Sequence, residues 1–460
     1  MTEFRFPIER SKVKDHPMQN NNKRRALAVF LALLIMLTPV LSGCGWFVTS
    51  GHVDDIHSNI GDNTDSSGND NGVYDKLNLL TALIKANSYY ELTDEEICAS
   101  LIYGFGNVAK DRYCAYYTAE EYAKLTAENS GDTEGIGISV IQSAETGEIQ
   151  VISVIPESPA YRAGLLPGDM ITHIGIGDSA TSVVEIGYDL AMQQLIGKAG
   201  TNAEFTLRRG SGENAEILTF SITREHVESQ SVTYRVCATN AKVGVIKITG
   251  FDLTTPPQFC AAMDSLITSG CEKFIFDLRY NGGGDLASIT AVLSYILNEG
   301  DILIQTEDRT HVREVTTVKE VRYAQTSPYS TCNITSKDIA KYREYVKGKS
   351  AVLVNGGTAS AAELFTICLM DYKISKIVGL KTYGKGSMQS IIPLEFYSST
   401  GALKLTTRMY FPPISEGYND KGITPDVVVD LDESLKNKNI YTITDAEDNQ
   451  LQSAISAIGN

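Results

Sequence analysis

The sequence predicts a multidomain α+β protein: a helical entry domain, then a β-rich module, then a larger α/β body. Three observations carry that expectation. Apolar residues recur at helical spacing within 74–132, short β-branched runs punctuated by Gly and Pro fill 133–228, and strand-like and helix-like stretches alternate through 229–431. At 460 residues the chain is long enough for about three domains, and 43% hydrophobic content lets each bury a core. The net charge is −16 although the first 25 residues are basic, so the remainder is strongly acidic. An acidic body lacks the basic face that phosphate binding needs, which excludes nucleic acid as a partner.

The N-terminus reads as an address. Lys23, Arg24 and Arg25 run into the apolar stretch Ala26–Leu41, followed by Ser42, Gly43 and Cys44. Basic, apolar, then small is the order of an export signal. Leu41–Cys44 resembles a bacterial lipobox, which implies lipidation at Cys44. The alternative is an uncleaved single-span anchor, because the apolar run is near the lower limit for spanning. Either way residues 1–44 place the rest outside the cytoplasm, tethered to the membrane. Residues 45–73 are polar and rich in Gly, Ser and Asn, as a flexible tether is. The other cysteines (Cys98, Cys114, Cys237, Cys260, Cys271, Cys332 and Cys368) are odd in number and irregularly spaced, with no C-x-x-C pair. They suggest neither a disulfide framework nor a metal site, and no cofactor is expected.

In the entry domain Leu77, Leu80, Leu83 and Ile84 share a helical face, and Thr93 with Glu96 forms a capping-box signature. The module (133–228) contains strand-like runs interrupted by helical pieces at Ser158–Ala163 and Glu185–Ile196. In the body, VGVIKIT, KFIFDL and SAVLVN read as strands buried on both faces. Thr254–Thr268, Asp285–Leu297, Lys337–Val346 and Ser360–Tyr372 read as helices, and 432–460 as a polar tail with a short helix.

The chemistry-bearing residues cluster at strand ends. Ser360 follows the Gly-rich turn Asn355–Thr358 and opens an apolar helix, where the positive helix end favours a developing anion. Taken alone, such a serine is more often a simple helix cap. Arg279–Gly284 follows the strand KFIFDL and offers backbone N–H groups of the kind an oxyanion hole needs. Lys385 sits between Gly384 and Gly386, so its backbone can approach another closely. The six histidines (His16, His52, His57, His173, His226 and His311) fall outside all three segments.

Two stretches carry a family resemblance. Glu134–Ile138 resembles the carboxylate-binding loop and the strand after it in PDZ domains, and PESPAYRAGLLPGDMI resembles the x-S-P-A-x-x-A-G-L-x-x-G-D-x-I segment of bacterial protease PDZ modules. The resemblance implies a tail-binding site at Gly135, Ile136, Gly137 and Ile138, with Leu190 and Leu195 as side-chain pocket residues. Thr358–Glu363 (TASAAE), Gly384–Gln389, Arg279–Gly284 and Lys421–Asp426 together resemble the carboxy-terminal processing peptidases, the tail-specific proteases. Lys385 follows Ser360 by 25 residues, the family spacing. Gly282 stands where the family has proline.

The likeness implies a crotonase/ClpP-like catalytic domain with Ser360 as nucleophile, Lys385 as base and Gln389 orienting the amine. Backbone N–H groups of Gly283 and Ala361 would receive the oxyanion. Some members use an acidic residue eleven positions after the serine, and Asp371 occupies it. A carboxylate beside Lys385 would raise the amine pKa, whereas the role of base requires burial to lower it from about 10.4. The expected partners are protein or peptide substrates with free C-termini, the membrane, and a second copy through the N-terminal helices. A catalytically silent scaffold and an acyl-CoA enzyme of similar fold are the rival readings.

Overall fold

The computed structural model describes residues 72–459 except 89, 91, 144, 211, 213, 214, 323–332, 398, 399, 437 and 439. Cys44, Cys332, the address segment and all but the end of the tether lie outside the described residues.

The entry segment forms helices at Val73–Asn87, Asp94–Ala109 and Ala119–Ser130. Local chemistry fixes where they start. The Thr93 N–H donates to Glu96 at 2.8 Å and the Glu96 N–H returns to the Thr93 hydroxyl at 3.2 Å, and Thr118 with Glu121 repeats the box. Gly131, at φ 76°, ends the third helix in the left-handed conformation. The segment is not wholly helical. Ala115–Tyr117 is a strand that pairs antiparallel with Ala402–Lys404, so the entry domain is stitched into the catalytic body's own sheet.

The module is an antiparallel sheet in the order Ile138–Gln142, Ile149–Val154, Met170–Ile174, Asn202–Arg209, Glu216–Thr223. Its inward residues Ile149, Val151, Ile171, Phe205 and Leu207 are buried, as strand alternation requires. Ile138–Gln142 is an edge strand, paired on one side only. Asp132–Gly135 pairs with Glu225–Glu228 as a ribbon joining the module to the body. The helix expected at Glu185–Ile196 is two pieces, Val183–Ile186 and Tyr188–Leu195, because Gly187 takes φ 85° and breaks it.

The body centres on a six-stranded sheet. Val232–Cys237 pairs antiparallel with Asn240–Ile248, and Lys273–Asp277, Ser350–Val354, Ser375–Gly379 and Val427–Val428 continue it in parallel. Both faces are covered, which explains the uninterrupted apolar strands. Ile246, Ile248, Phe274 and Phe276 face the helices Thr255–Thr268, Leu286–Ser294 and Ala361–Asp371, where Phe276 meets Phe365 edge-on at 5.5 Å. The alternate residues Val243, Val245 and Ile275 pack on Leu451, Ala454 and Ile455 of the helix Asn449–Ala457. The last 29 residues are thus more than a polar tail: they close one face of the sheet.

A second, antiparallel sheet of Ile302–Asp308, Arg313–Thr317, Ser387–Pro393 and Ala402–Phe411 carries the lysine segment. The helix expected at Lys337–Val346 shrinks to the turn Arg343–Val346. Asp338 caps Thr335 and Ala340 adopts φ 58°, so the chain turns there instead of coiling.

Candidate active site

Ser360 is 3% exposed and is the residue from which the helix Ala361–Asp371 starts. Its backbone is left-handed (φ 56°), a strained conformation for a residue with a Cβ. Three contacts impose it. The Thr358 hydroxyl donates to the Leu278 carbonyl at 2.8 Å, the Ala359 N–H donates to the Asn281 carbonyl at 2.9 Å, and the Ser360 N–H donates to Glu363 at 3.0 Å.

Glu363 is the residue whose role the sequence reading missed. Fully buried, its carboxylate accepts from four donors. Oε1 takes the Thr382 hydroxyl at 2.6 Å and the Gly384 N–H at 2.7 Å; Oε2 takes the Ser360 N–H and the Lys385 N–H at 2.8 Å. One oxygen therefore binds the backbones of both the serine and the lysine. The signal was present in the sequence, a glutamate in the first turn of an apolar helix whose cap is the nucleophile candidate. Only the fold shows that its partners come from another loop.

Lys385 is half-buried, and its Nζ lies 4.7 Å from the centroid of the Tyr113 ring, which comes from the entry domain. Met388 and Ile391, on the strand that follows it, are buried. Gln389 is also buried, and its amide donates to the Ser387 hydroxyl at 3.0 Å and the Thr406 hydroxyl at 3.1 Å. Asp371 sits at the far end of its helix, where its carboxylate accepts the N–H groups of Ile414 (2.9 Å) and Ser415 (3.0 Å). There it holds the loop at 414–415.

The Arg279–Gly284 loop abuts Ser360. Gly283 takes φ 106°, and a Cβ on it would fall 2.7 Å from the Ser360 Cβ and 2.9 Å from the Ala361 nitrogen. Only glycine fits. The expectation that the Gly283 N–H is a free oxyanion donor is not met, since it donates to the Asn281 side chain at 2.9 Å. Asn281 in turn donates to the Ile248 carbonyl at 2.9 Å. The Ala361 N–H, in the first helical turn, has no intrahelical acceptor by geometry. At the loop's base, buried Arg279 bridges Asp277 (2.8 Å) and Asp448 (2.8 Å). Burial alone would raise the Asp277 pKa, but the charges of Arg279 and Lys247 and the Arg279 hydrogen bonds hold it well below its ordinary value. These bonds, not a proline at position 282, set the loop.

In the module, Gly137 takes φ 81° with Ser158 packed against it, and the Ile136 and Gly137 carbonyls accept from Ala160 (2.8 Å) and Ile155 (2.9 Å). Gly135 ends the ribbon strand, and Ile138 begins the open-edged strand. Ile136 is buried in the module core. So is Leu195, at 6% exposure, whereas Leu190 is 54% exposed. The short helix projects one of the two expected residues outward and the other inward, because they lie five positions apart.

The fold and site define a serine peptidase body coupled to a peptide-binding module. More particularly, residues 242–429 match peptidase family S41 and residues 124–207 match the PDZ domain, so the chain joins an S41 peptidase domain to a PDZ domain. It is 29% identical over 413 residues to the carboxy-terminal processing protease CtpA of Bacillus subtilis, covering 90% of this chain and 79% of that one. It is also 29% identical over 354 residues to a CtpA-like serine protease of Staphylococcus epidermidis, covering 77% of this chain and 65% of that longer one. A Bacteroides fragilis structure assigned to the S41 proteases shares the fold, with a TM-score of 0.50 and 15% identity over 83% of this chain and 98% of that one.

Proposed function

We propose that the protein is an extracytoplasmic, membrane-tethered serine endopeptidase that cuts near protein C-termini with Ser360 as nucleophile and Lys385 as general base. The observation that supports this best is the shared Glu363 oxygen, which gathers two residues 25 apart in sequence into one site. In this mechanism the neutral Lys385 amine takes the Ser360 hydroxyl proton as the oxygen attacks the scissile carbonyl. The tetrahedral oxyanion meets the Ala361 N–H at the helix N-terminus, and the Gly283 N–H if Asn281 releases it. The Lys385 ammonium then returns the proton to the leaving amine, and water hydrolyses the acyl-enzyme with the same base.

Substrate tails would add to the open edge at Ile138–Gln142, their terminal carboxylate held by the Gly135–Ile138 turn. The Bacillus subtilis relative's name, a carboxy-terminal processing protease, agrees with that polarity. No helix among the described residues is long and apolar enough to cross a membrane, so tethering rests on residues 1–44. Leu79, Leu80, Leu83 and Ile84 are exposed on the first helix, a surface suited to a second copy.

Cleavage of an internally quenched peptide with an apolar free C-terminus tests the dyad. Ser360→Ala and Lys385→Ala should each abolish turnover, and the double variant should be no worse than either. Ordinary turnover in either single variant rejects the mechanism.

A further inference from the structure

Tyr113 belongs to none of the segments that define the dyad, yet it reaches Lys385. It lies on the loop between the entry helix Asp94–Ala109 and the strand Ala115–Tyr117. That loop is pinned to the catalytic body at several points. The Asp111 carboxylate accepts the Tyr113 N–H at 3.0 Å and, at 2.8 Å each, the Thr406 N–H and hydroxyl. The Arg112 guanidinium pairs with Asp420 at 3.0 Å, and the following strand pairs with Ala402–Lys404. Thr406 also accepts from Gln389, so the pin touches the site's own hydrogen-bond network. The backbone at Tyr113 is thereby fixed relative to the lysine segment.

We propose that Tyr113 is a positioning residue for Lys385, its ring face holding the lysine Nζ where it can exchange a proton with Ser360. The proposal rests on the Ser360–Lys385 reading above. The Nζ lies 4.7 Å from the ring centroid, within the range of cation–π attraction. The guanidinium carbon of Arg112, which pins the loop, lies 5.0 Å from the same ring centroid, so the Tyr113 ring meets two cations. The timing suits a base. As the Ser360 proton arrives, positive charge appears on Nζ, and the ring's negative face stabilises the ammonium that forms. When the ammonium hands its proton to the leaving amine, that attraction weakens and the neutral amine stays beside the ring to serve again as base for the attacking water. The flexible lysine stem thus gains a defined direction from a group contributed by another domain. An entry domain that supplies this ring is part of the active site and not a spacer.

The test uses the full chain and graded fluorination at position 113. Tyr113→Phe is the reference, followed by mono-, di- and trifluorophenylalanine, which keep the ring's shape while emptying its face of negative potential. The probe is an internally quenched peptide with a free C-terminal carboxylate. The expected result is a stepwise fall in kcat, about tenfold or more across the series, with KM nearly constant. Tyr113→Leu should fall at least as far as the trifluoro variant. A kcat that is flat across the series overturns the proposal, as does a loss that appears wholly in KM or wholly at Tyr113→Phe. Because the fluorinated variants preserve packing, the series stays decisive if Tyr113→Leu unfolds. Lys385→Ala separates the two ideas. If it still turns over, the dyad reading fails; if it is inactive while the fluorinated series is flat, only the Tyr113 proposal fails.

Discussion

Replacing Glu363 with Gln removes one oxygen from the centre of the site without changing its shape. The carboxylate accepts four hydrogen bonds, two per oxygen. A carboxamide has one acceptor oxygen, and its NH2 group would face two of those donors. At least two bonds are lost, whichever way the amide turns. Bonds to a charged, buried acceptor are worth about 1.5–3 kcal/mol each, so Glu363→Gln should cost roughly 3–6 kcal/mol of stability. That is a large part of the roughly 5–15 kcal/mol a domain possesses. The Ser360 and Lys385 N–H groups share one oxygen, so both lose their acceptor unless the amide turns its oxygen toward them and abandons Thr382 and Gly384. In both cases the two loops shift relative to each other, and a displacement of about 1 Å can cost about a hundredfold in kcat. Urea unfolding measures the first effect and peptide hydrolysis the second. A Glu363→Gln protein within about 1 kcal/mol of the wild type, with wild-type kcat, would refute the reasoning.

Four further outcomes follow from the same geometry. Gly283→Ala should fold with a penalty of about 1–3 kcal/mol and lose most turnover, since its methyl would collide with Ser360; steady-state kinetics checks it. Asp448→Ala should destabilise by about 3–5 kcal/mol, because it strips a partner from buried Arg279, and denaturant midpoints report this. Asp277 is held below its ordinary pKa in the folded state, so the stability it confers is complete above its unfolded value of 3.8 and drains away as pH falls below it. Unfolding free energies measured between about pH 2 and 6 should decline less steeply in Asp277→Asn. Amidating the C-terminus of a substrate should weaken binding at least about tenfold if the module's Gly-containing turn holds the carboxylate, which calorimetry with the full chain would detect.

Much of the fold was legible because its periodicities are strong. The buried strands Lys273–Asp277 and Ser350–Val354 are continuous and β-branched or aromatic, and their helices follow at short intervals. Errors fell where one residue's backbone overrode the pattern. Gly187 split the module helix, and Ala340 replaced most of another helix with turns. Leu190 is exposed and Leu195 buried because five residues along a short helix carry a side chain from the exposed face to the core, a rotation that apolar character alone does not reveal.

The sequence by itself determined the class of chemistry: a serine at the start of an apolar helix, a lysine between glycines at family spacing, and a Gly-rich loop after a strand. Those are local features, set by neighbours in the chain. Tertiary structure decided what the local pattern leaves free, namely who touches whom across long separations. It brought Glu363 to the Lys385 turn and Asp448 from the last helix to Arg279. It aimed Asp371 at Ile414 and Ser415, and carried Tyr113 from the entry domain onto the lysine. Each is a contact between side chain or backbone groups on different elements, and such contacts leave no period in the sequence. They exist only once hydrophobic burial has stacked the layers and fixed the distances between them.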